Sequence, residues 1–253
     1  MAAERSPERR DSRDSIVTDA IRQTWPTASE ESLARLIHGA SLREELHGTI
    51  VREAERPSPV ALVLHGTVVA YWSAPDGRVL YGGLFGPGQL WGLPSLNGGA
   101  SVVGIDAVTT VSVITWRSEL VRAVAEVDAA FALALLDRAL FAIQALNRMN
   151  KLRSFTTAGA RLAGLLLEYE ALCFGPNAPL LARRHLAAMA GVTPEMASRI
   201  LRRWEAASIV RRGRPSGLEL LDREALRAQA EPLAAFTPLD PTSRGAWAAP
   251  EMP

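Results

Sequence analysis

The sequence predicts an α+β protein in three parts: an N-terminal antiparallel β-roll, a long apolar helix, and a C-terminal winged helix-turn-helix. Three observations carry this. From Gly48 to Trp116 short β-rich runs are punctuated by Gly and Pro. From Phe131 to Leu146 apolar residues cover most of a helix's circumference. From Leu181 to Leu221 two helical patterns flank a glycine and lead into a basic hairpin. The expected boundaries are 1–15 disordered, 16–117 the roll with its leading helices, 118–156 the long helix, 157–230 the winged domain, and 231–253 a flexible tail.

At 253 residues and 48% hydrophobic content, the chain holds two modest domains with cores of their own. The opening MAAERSPERRDSRDS is charged, with no apolar signal core, and no apolar run is expected to reach membrane-span length. The expectation is a cytoplasmic protein with no membrane partner. The single cysteine, Cys173, excludes an internal disulfide and the thiolate set of an iron–sulfur cluster. Its neighbours Leu172 and Phe174 suggest a core thiol, so oxidation there is not expected to act as a switch.

Ile16–Trp25 and Ser29–His47 read as two helices, the second opened by Ser29 with Glu30 and Glu31 in its first turn. Strand runs follow at Val60–Leu64, Thr67–Trp72, Arg78–Phe85, Ser101–Ile105 and Val108–Thr115, with Ala74-Pro75-Asp76-Gly77 as a hairpin turn. A small antiparallel barrel or roll is the economical fold for them. Helical signals return near Ser118. A helix as apolar as Phe131–Leu146 needs cover on two sides, the roll on one and the same helix of a second subunit on the other. Leu136, Ala139, Leu140, Ile143 and Leu146 are the expected homodimer contacts. The alternative, a helix buried inside a larger monomer, has little other chain to cover it. A break is expected at Thr156-Thr157-Ala158-Gly159, followed by a helix over Ala160–Phe174.

In ARRHLAAMAG, Leu186, Ala187 and Met189 keep helical spacing and Gly191 sits where a left-handed residue ends the helix. Thr193 is placed to cap the next helix, Pro194 to begin it, and Glu195 to favour its positive end. Ala197, Ile200, Leu201 and Trp204 form the inward stripe; Glu195, Ser198, Arg199, Arg202 and Arg203 face outward. An arginine can fork onto guanine and a carboxylate can accept from cytosine, so Glu195 and Arg199 suit adjacent base pairs. The competing reading is a solvated Glu195–Arg199 ion pair. Ile209-Val210 and Leu218-Glu219-Leu220 are expected to pair as a wing carrying Arg211, Arg212 and Arg214. From Leu181 to Ala228 there are ten arginines against five carboxylates, an excess of five positive charges in a chain of net charge +1. Charge is concentrated where a polyanion such as double-stranded DNA would bind. Thr193, Arg202, Arg203, Arg211, Arg212 and Arg214 are the expected phosphate contacts.

Roll, long helix, hinge and winged helix-turn-helix, in that order, resemble the CRP/FNR superfamily of bacterial transcription regulators over roughly residues 40–230. The motifs are VALVLHGTVVAYWSAPDGRVLYGGLFGPGQLWG in the cyclic-nucleotide-binding-like roll, a double-stranded β-helix, and LARRHLAAMAGVTPEMASRILRRWEAASIVRR in the DNA-binding part. Glu195-Met196-Ala197-Ser198-Arg199 is similar to the E-x-x-S-R reading motif of the FNR branch. The resemblance implies that Glu195, Ser198 and Arg199 recognise a TTGA-type half-site, repeated as a palindrome for a dimer. RNA polymerase stays open as a partner, since no local motif identifies the contact, and activation and repression are not distinguished.

The sensor half departs from the family. Leu93 stands where cyclic-nucleotide-binding members carry a Glu, and Ala100 where they carry an Arg; only Ser101 of that set is present. A buried phosphate without a cation costs several kcal/mol unless backbone donors replace it, so cyclic AMP in the usual pose is not expected. If an effector binds, Trp72, Trp91, Gly92, Leu93, Ser101, Leu146 and Asn147 are the candidate lining, though the same residues suit a filled core. Among His38, His47, His65 and His185 no haem ligand is assigned. A cupin-type enzyme needs clustered histidines and a carboxylate, and the strands offer only His65; no nucleophile–base pairing, phosphate loop or metal spacing is present. The expectation is a non-enzymatic protein, with a ligand-sensing module lacking specific DNA readout as the main alternative.

Overall fold

The strand-rich half closes as two antiparallel sheets in the computed structural model, which describes residues 7–52, 59–73, 75, 79–98, 103–155, 157–174, 183–213 and 217–230. Two helices come first, α1 (Pro7–Thr24) and α2 (Glu30–His38). The strands are β1 (Ser41–Glu45), β2 (Ile50–Arg52), β3 (Val60–His65), β4 (Val68–Ser73), β5 (Val79–Phe85), β6 (Leu90–Trp91), β7 (Gly104–Ala107) and β8 (Val111–Trp116). One sheet has the order β1-β8-β3-β6 and the other β2-β7-β4-β5, every pairing antiparallel. This is the expected roll.

Burial explains why its strands read as apolar runs and not as a simple alternation. Between the sheets lie Ala61, Val63, Val68, Ala70, Trp91, Ile105, Ala107, Val111 and Val113. The outer face of the first sheet presents Val60, Leu62, Leu90, Ile114 and Trp116 to α1 and α2, and to two later helices, α3 (Ser118–Ala125) and α4 (Ala129–Phe155). Trp25 is central there, edge-on to Trp116 at 5.4 Å and to Phe131 at 5.3 Å. The Trp116 indole N–H donates to the Leu36 carbonyl at 2.8 Å. The outer face of the second sheet contributes Val69 and Leu84, with Val108 beside them, to a cluster shared with the C-terminal domain.

That domain comprises α5 (Ala158–Glu168), α6 (Glu170–Cys173), α7 (Arg183–Ala190), α8 (Pro194–Ala206), the hairpin of β9 (Val210–Arg212) and β10 (Leu218–Leu220), and α9 (Arg223–Gln229). Thr157 caps α5, its hydroxyl accepting from the Ala160 N–H.

Beyond a later start for β8 and two short strands, β2 and β6, that the sequence reading did not contain, the boundaries depart from it in five places. First, α1 starts at Pro7 rather than Ile16, with a proline at the first helical position and Glu8, Arg9 and Arg10 as good helix formers after it, so the expected disorder over 1–15 holds for none of 7–15. Second, Ser41–Glu45 is a strand, not the end of a helix running to His47. Gly39 closes α2 by donating to the Arg35 and Ile37 carbonyls, and the next five residues pair with β8 from Ser41↔Thr115 to Glu45↔Val111. Third, β7 covers Gly104–Ala107, running two residues past the expected end at Ile105 and leaving Val103 out, while Ser101 and Val102 of the expected strand lie outside the described residues. Fourth, the helix expected over 118–156 is two, α3 and α4, because the Asp128 carboxylate accepts from the Phe131 N–H at 3.0 Å and restarts the helix. Fifth, Ala160–Phe174 bends at Tyr169, whose φ of −108° and ψ of 33° separate α5 from α6. The Asp76-Gly77 turn and the tail 231–253 lie outside the described residues.

One helix, over Ala129–Arg148, is long and apolar enough to cross a membrane by length and composition alone, contrary to the sequence expectation. Here it lies along the roll: Phe131 and Leu135 are buried in the outer cluster, and Arg138 donates to the Gly88 carbonyl at 3.0 Å.

Candidate nucleic-acid interface

The α7–α8 turn follows from local chemistry. Gly191 adopts φ 63°, the left-handed conformation that lets the Val192 N–H reach back to the Ala187 carbonyl at 2.9 Å. Thr193 is extended, and its hydroxyl accepts from the Met196 N–H at 3.2 Å, with Pro194 first in the helix. Ala187 and Ala197 are both buried, letting the helices approach closely. Ile200, Leu201 and Trp204 complete the buried stripe of α8, and the Trp204 indole donates to the Gln229 side chain on α9.

The opposite face of α8 is open. Thr193, Glu195, Arg199, Arg202 and Arg203 are exposed and Ser198 is half-buried at the edge. The competing i,i+4 ion pair does not form: Arg199 Nη2 lies 3.6 Å from the Met196 sulfur, and among the described residues Glu195 and Arg199 are not salt-bridged. The Glu195 carboxyl is instead held below its ordinary value, first by its own backbone N–H and then by the Thr193 hydroxyl. An ionised acceptor and a forked donor therefore stand one turn apart on the exposed face, at the positive end of a capped helix.

The wing forms as expected, with Leu218↔Arg212, Glu219↔Arg211 and Leu220↔Val210, and the Gly213 N–H closing onto the Gly217 carbonyl at 2.9 Å. Arg211 lies across from Glu219 and is bound to it at 2.7–3.0 Å. Its guanidinium is thus engaged along the strand, an exposed pair worth at most about 1 kcal/mol that phosphate can displace. The Arg212 side chain and all of Arg214 lie outside the described residues.

Two features escaped sequence reasoning. Arg161 of α5 donates through Nε to the Ala190 carbonyl at 2.9 Å and through Nη2 to that of Gly191 at 3.2 Å, satisfying the carbonyl end of α7. No local pattern links residues 29 or 30 apart. Ser208, at φ 57°, takes a left-handed conformation where the chain leaves α8 for the wing, a position better suited to Gly or Asn.

The sensor residues divide. Trp91 is buried between the sheets with its indole N–H lacking a hydrogen-bond partner among the described residues, and Trp72 lies over Gly82, where any Cβ would meet its ring. Gly92, at φ 85°, turns the chain into a short 3-10 segment, and Leu93 then packs on the outer cluster with Leu96 and Leu120, whereas Trp91 belongs to the inter-sheet cluster. Leu146 and Asn147 are exposed on α4, and Ser101 lies outside the described residues. On α4, Leu133, Leu136, Leu140, Ile143 and Leu146 are 46–62% exposed, and Ala139 is half-buried beside them. Cys173 is buried, its thiol pushed up to about 12 by desolvation. Among the described residues no three His, Cys, Asp or Glu side chains gather as a metal site.

Residues 160–229 match the Crp-like helix-turn-helix domain family. No curated protein matches the chain at a significant level of sequence similarity. Many solved structures share the fold, among them the following three. FixK2 from Bradyrhizobium japonicum is 24% identical, over 75% of this chain and 96% of its own, with a TM-score of 0.68. TTHA1359, a CRP/FNR transcriptional regulator from Thermus thermophilus, is 20% identical over 76% and 98%, with a TM-score of 0.62. The c-di-GMP-responsive global regulator CLP from Xanthomonas campestris is 21% identical over 76% and 99%, with a TM-score of 0.62.

Proposed function

We propose that this chain, a non-enzymatic transcription regulator of the CRP/FNR type whose residues 160–229 form a Crp-like helix-turn-helix domain, acts as a homodimer that reads a TTGA-type palindrome. One observation carries the reading: Glu195, Ser198 and Arg199 are accessible on a single face of α8, and Arg199 is not consumed by Glu195. Arg199 and Glu195 contact base edges, Ser198 lies between them, and Thr193, Arg202 and Arg203 hold phosphates, with the wing arginines adding contacts on the flank. Two copies related by a twofold axis place their reading helices about one helical turn apart, roughly 34 Å. An effector, if one acts, works through the roll; the division of Trp91 and Leu93 between two cores argues for transmission through packing over a single apolar pocket holding both.

The test is a binding titration on a TTGA palindrome and a scrambled duplex, each at several salt concentrations. Wild-type protein should prefer the palindrome, and affinity for both duplexes should fall steeply with salt. Arg199→Ala should weaken palindrome binding by about 1–3 kcal/mol while leaving scrambled-duplex affinity nearly unchanged. Equal weakening on both duplexes would reassign Arg199 to phosphate contact and defeat the base-reading claim.

A further inference from the structure

We infer that Arg148 and Glu168 are positioning residues that set the separation of the two half-sites, an inference that rests on the dimeric DNA-reading function proposed above. Arg148 lies about two turns before the end of α4, and Glu168 is the last residue of α5, so the pair bridges the break between the long helix and the reading domain. Arg148 donates from both Nε and Nη2 to one carboxylate oxygen, Glu168 Oε1, at 3.3 and 3.2 Å. The two side chains are 12% and 8% exposed. The pairs Arg22–Glu30, Arg122–Glu126, Arg211–Glu219 and Arg223–Glu170, by contrast, leave both members far more open to water.

Burial changes what such a pair does. An exposed pair lets its helices slide, because water solvates whatever the pair releases. A desolvated pair resists separation steeply and directionally, while contributing little more net stability than well-packed apolar side chains in the same space. Its distinctive effect is on geometry. Behind Glu168, the α5 residues Leu162, Leu165 and Leu166 share one cluster with Leu186, Met189, Ala197 and Leu201 of α7 and α8. The angle fixed at Arg148–Glu168 is therefore carried to the reading face through a packed core. In the proposed dimer, paired through the exposed apolar face of α4, that angle decides how far apart the two reading faces lie. A rival constraint exists on the other side of the domain, where Val69, Leu84 and Val108 of the roll join that same cluster and Tyr81 of β5 meets His185 of α7 edge-on at 4.9 Å. If those contacts alone fixed the domain, the ion pair would be dispensable for spacing.

The experiment uses the full chain and a series of duplexes in which the spacer between half-sites is lengthened or shortened by one or two base pairs, with a single half-site duplex as reference. Wild-type protein should favour one spacer by about tenfold or more, as expected for rigidly held heads on a helical lattice. In Arg148→Met/Glu168→Leu, half-site affinity should stay near wild type while spacer preference falls to about threefold or less. The charge swap Arg148→Glu/Glu168→Arg should recover part of the preference, which lost packing alone would not. Glu168→Gln keeps the side-chain shape and supplies the same readout if the apolar pair folds poorly. An unchanged spacer profile in folded variants overturns the inference and leaves the function intact. Equal loss on the half-site and on every spacer also overturns it, since the pair would then be merely structural. A wild-type protein blind to the palindrome defeats the function and this inference together.

Discussion

A single carboxylate, Asp128, joins the two ends of the N-terminal helical layer. One oxygen accepts from the Phe131 N–H at 3.0 Å and the other from the Ser29 N–H at 2.8 Å, so the start of α4 and the cap of α2 share one anion. Donation from the Phe131 backbone, then from Ser29 and the Ser32 hydroxyl, holds this carboxyl well below the usual range. Because the folded value is the lower one, the stabilisation is complete above the unfolded value of about 4 and is lost as pH falls through it towards the folded value. Asp128→Asn should lower stability at pH 7 by about 1–3 kcal/mol and flatten the decline below pH about 4. Urea unfolding at pH 7, 4 and 3 reads both; a variant with the wild-type acid profile would show that the carboxylate is not the linking group. The same residue marks a limit of sequence reading. Thr193, Pro194 and Gly191 were legible because caps and turns obey rules spanning a few positions. Ser29 and Asp128 are 99 residues apart, and only the folded chain brings them together.

Among the elements, α4 was the most legible in character and the least in extent. Its apolar circumference called for two covers, and the structure supplies the first: Phe131 and Leu135 face the outer cluster of the roll. The second face, Leu133, Leu136, Leu140, Ile143 and Leu146, recurs every three or four residues and stays open in a single chain. If this face forms the proposed dimer, the wild-type chain should sediment as a dimer and Leu140→Glu as a monomer, since charge in an apolar seam lacks a partner. A variant sedimenting as wild type would move the dimer contact elsewhere. Strand β1 shows the opposite failure. Ser41-Leu42-Arg43-Glu44-Glu45 carries good helix formers, yet the free edge of β8 offers five residues of ladder, and pairing outweighs a propensity worth a few tenths of a kcal/mol per residue. The wing's Arg211–Glu219 pair was likewise hidden, because its partners become neighbours only once the hairpin register is set.

For the whole molecule, the roll, the long helix and the winged domain were readable in order, because periodicity and punctuation are properties of the chain itself. How the parts stack was not. The structure is layered as helices, sheet, sheet and helix-turn-helix domain, and the last junction is continuous apolar packing: Val69, Leu84 and Val108 of the roll belong to the same cluster as Leu162, Leu186 and Trp204, and Leu172 lies against Gly86. The roll keeps its own core between the sheets, but its outer face and the C-terminal domain share one apolar cluster. The two domains should melt as one cooperative unit, giving a single calorimetric transition whose calorimetric and van't Hoff enthalpies agree. A truncated chain cut near Thr157 should expose Tyr169, Leu172 and His185, and either aggregate or unfold at a lower temperature than the intact protein. Two well-separated transitions would mean that the junction is a resting contact, and that each half evolved to stand alone.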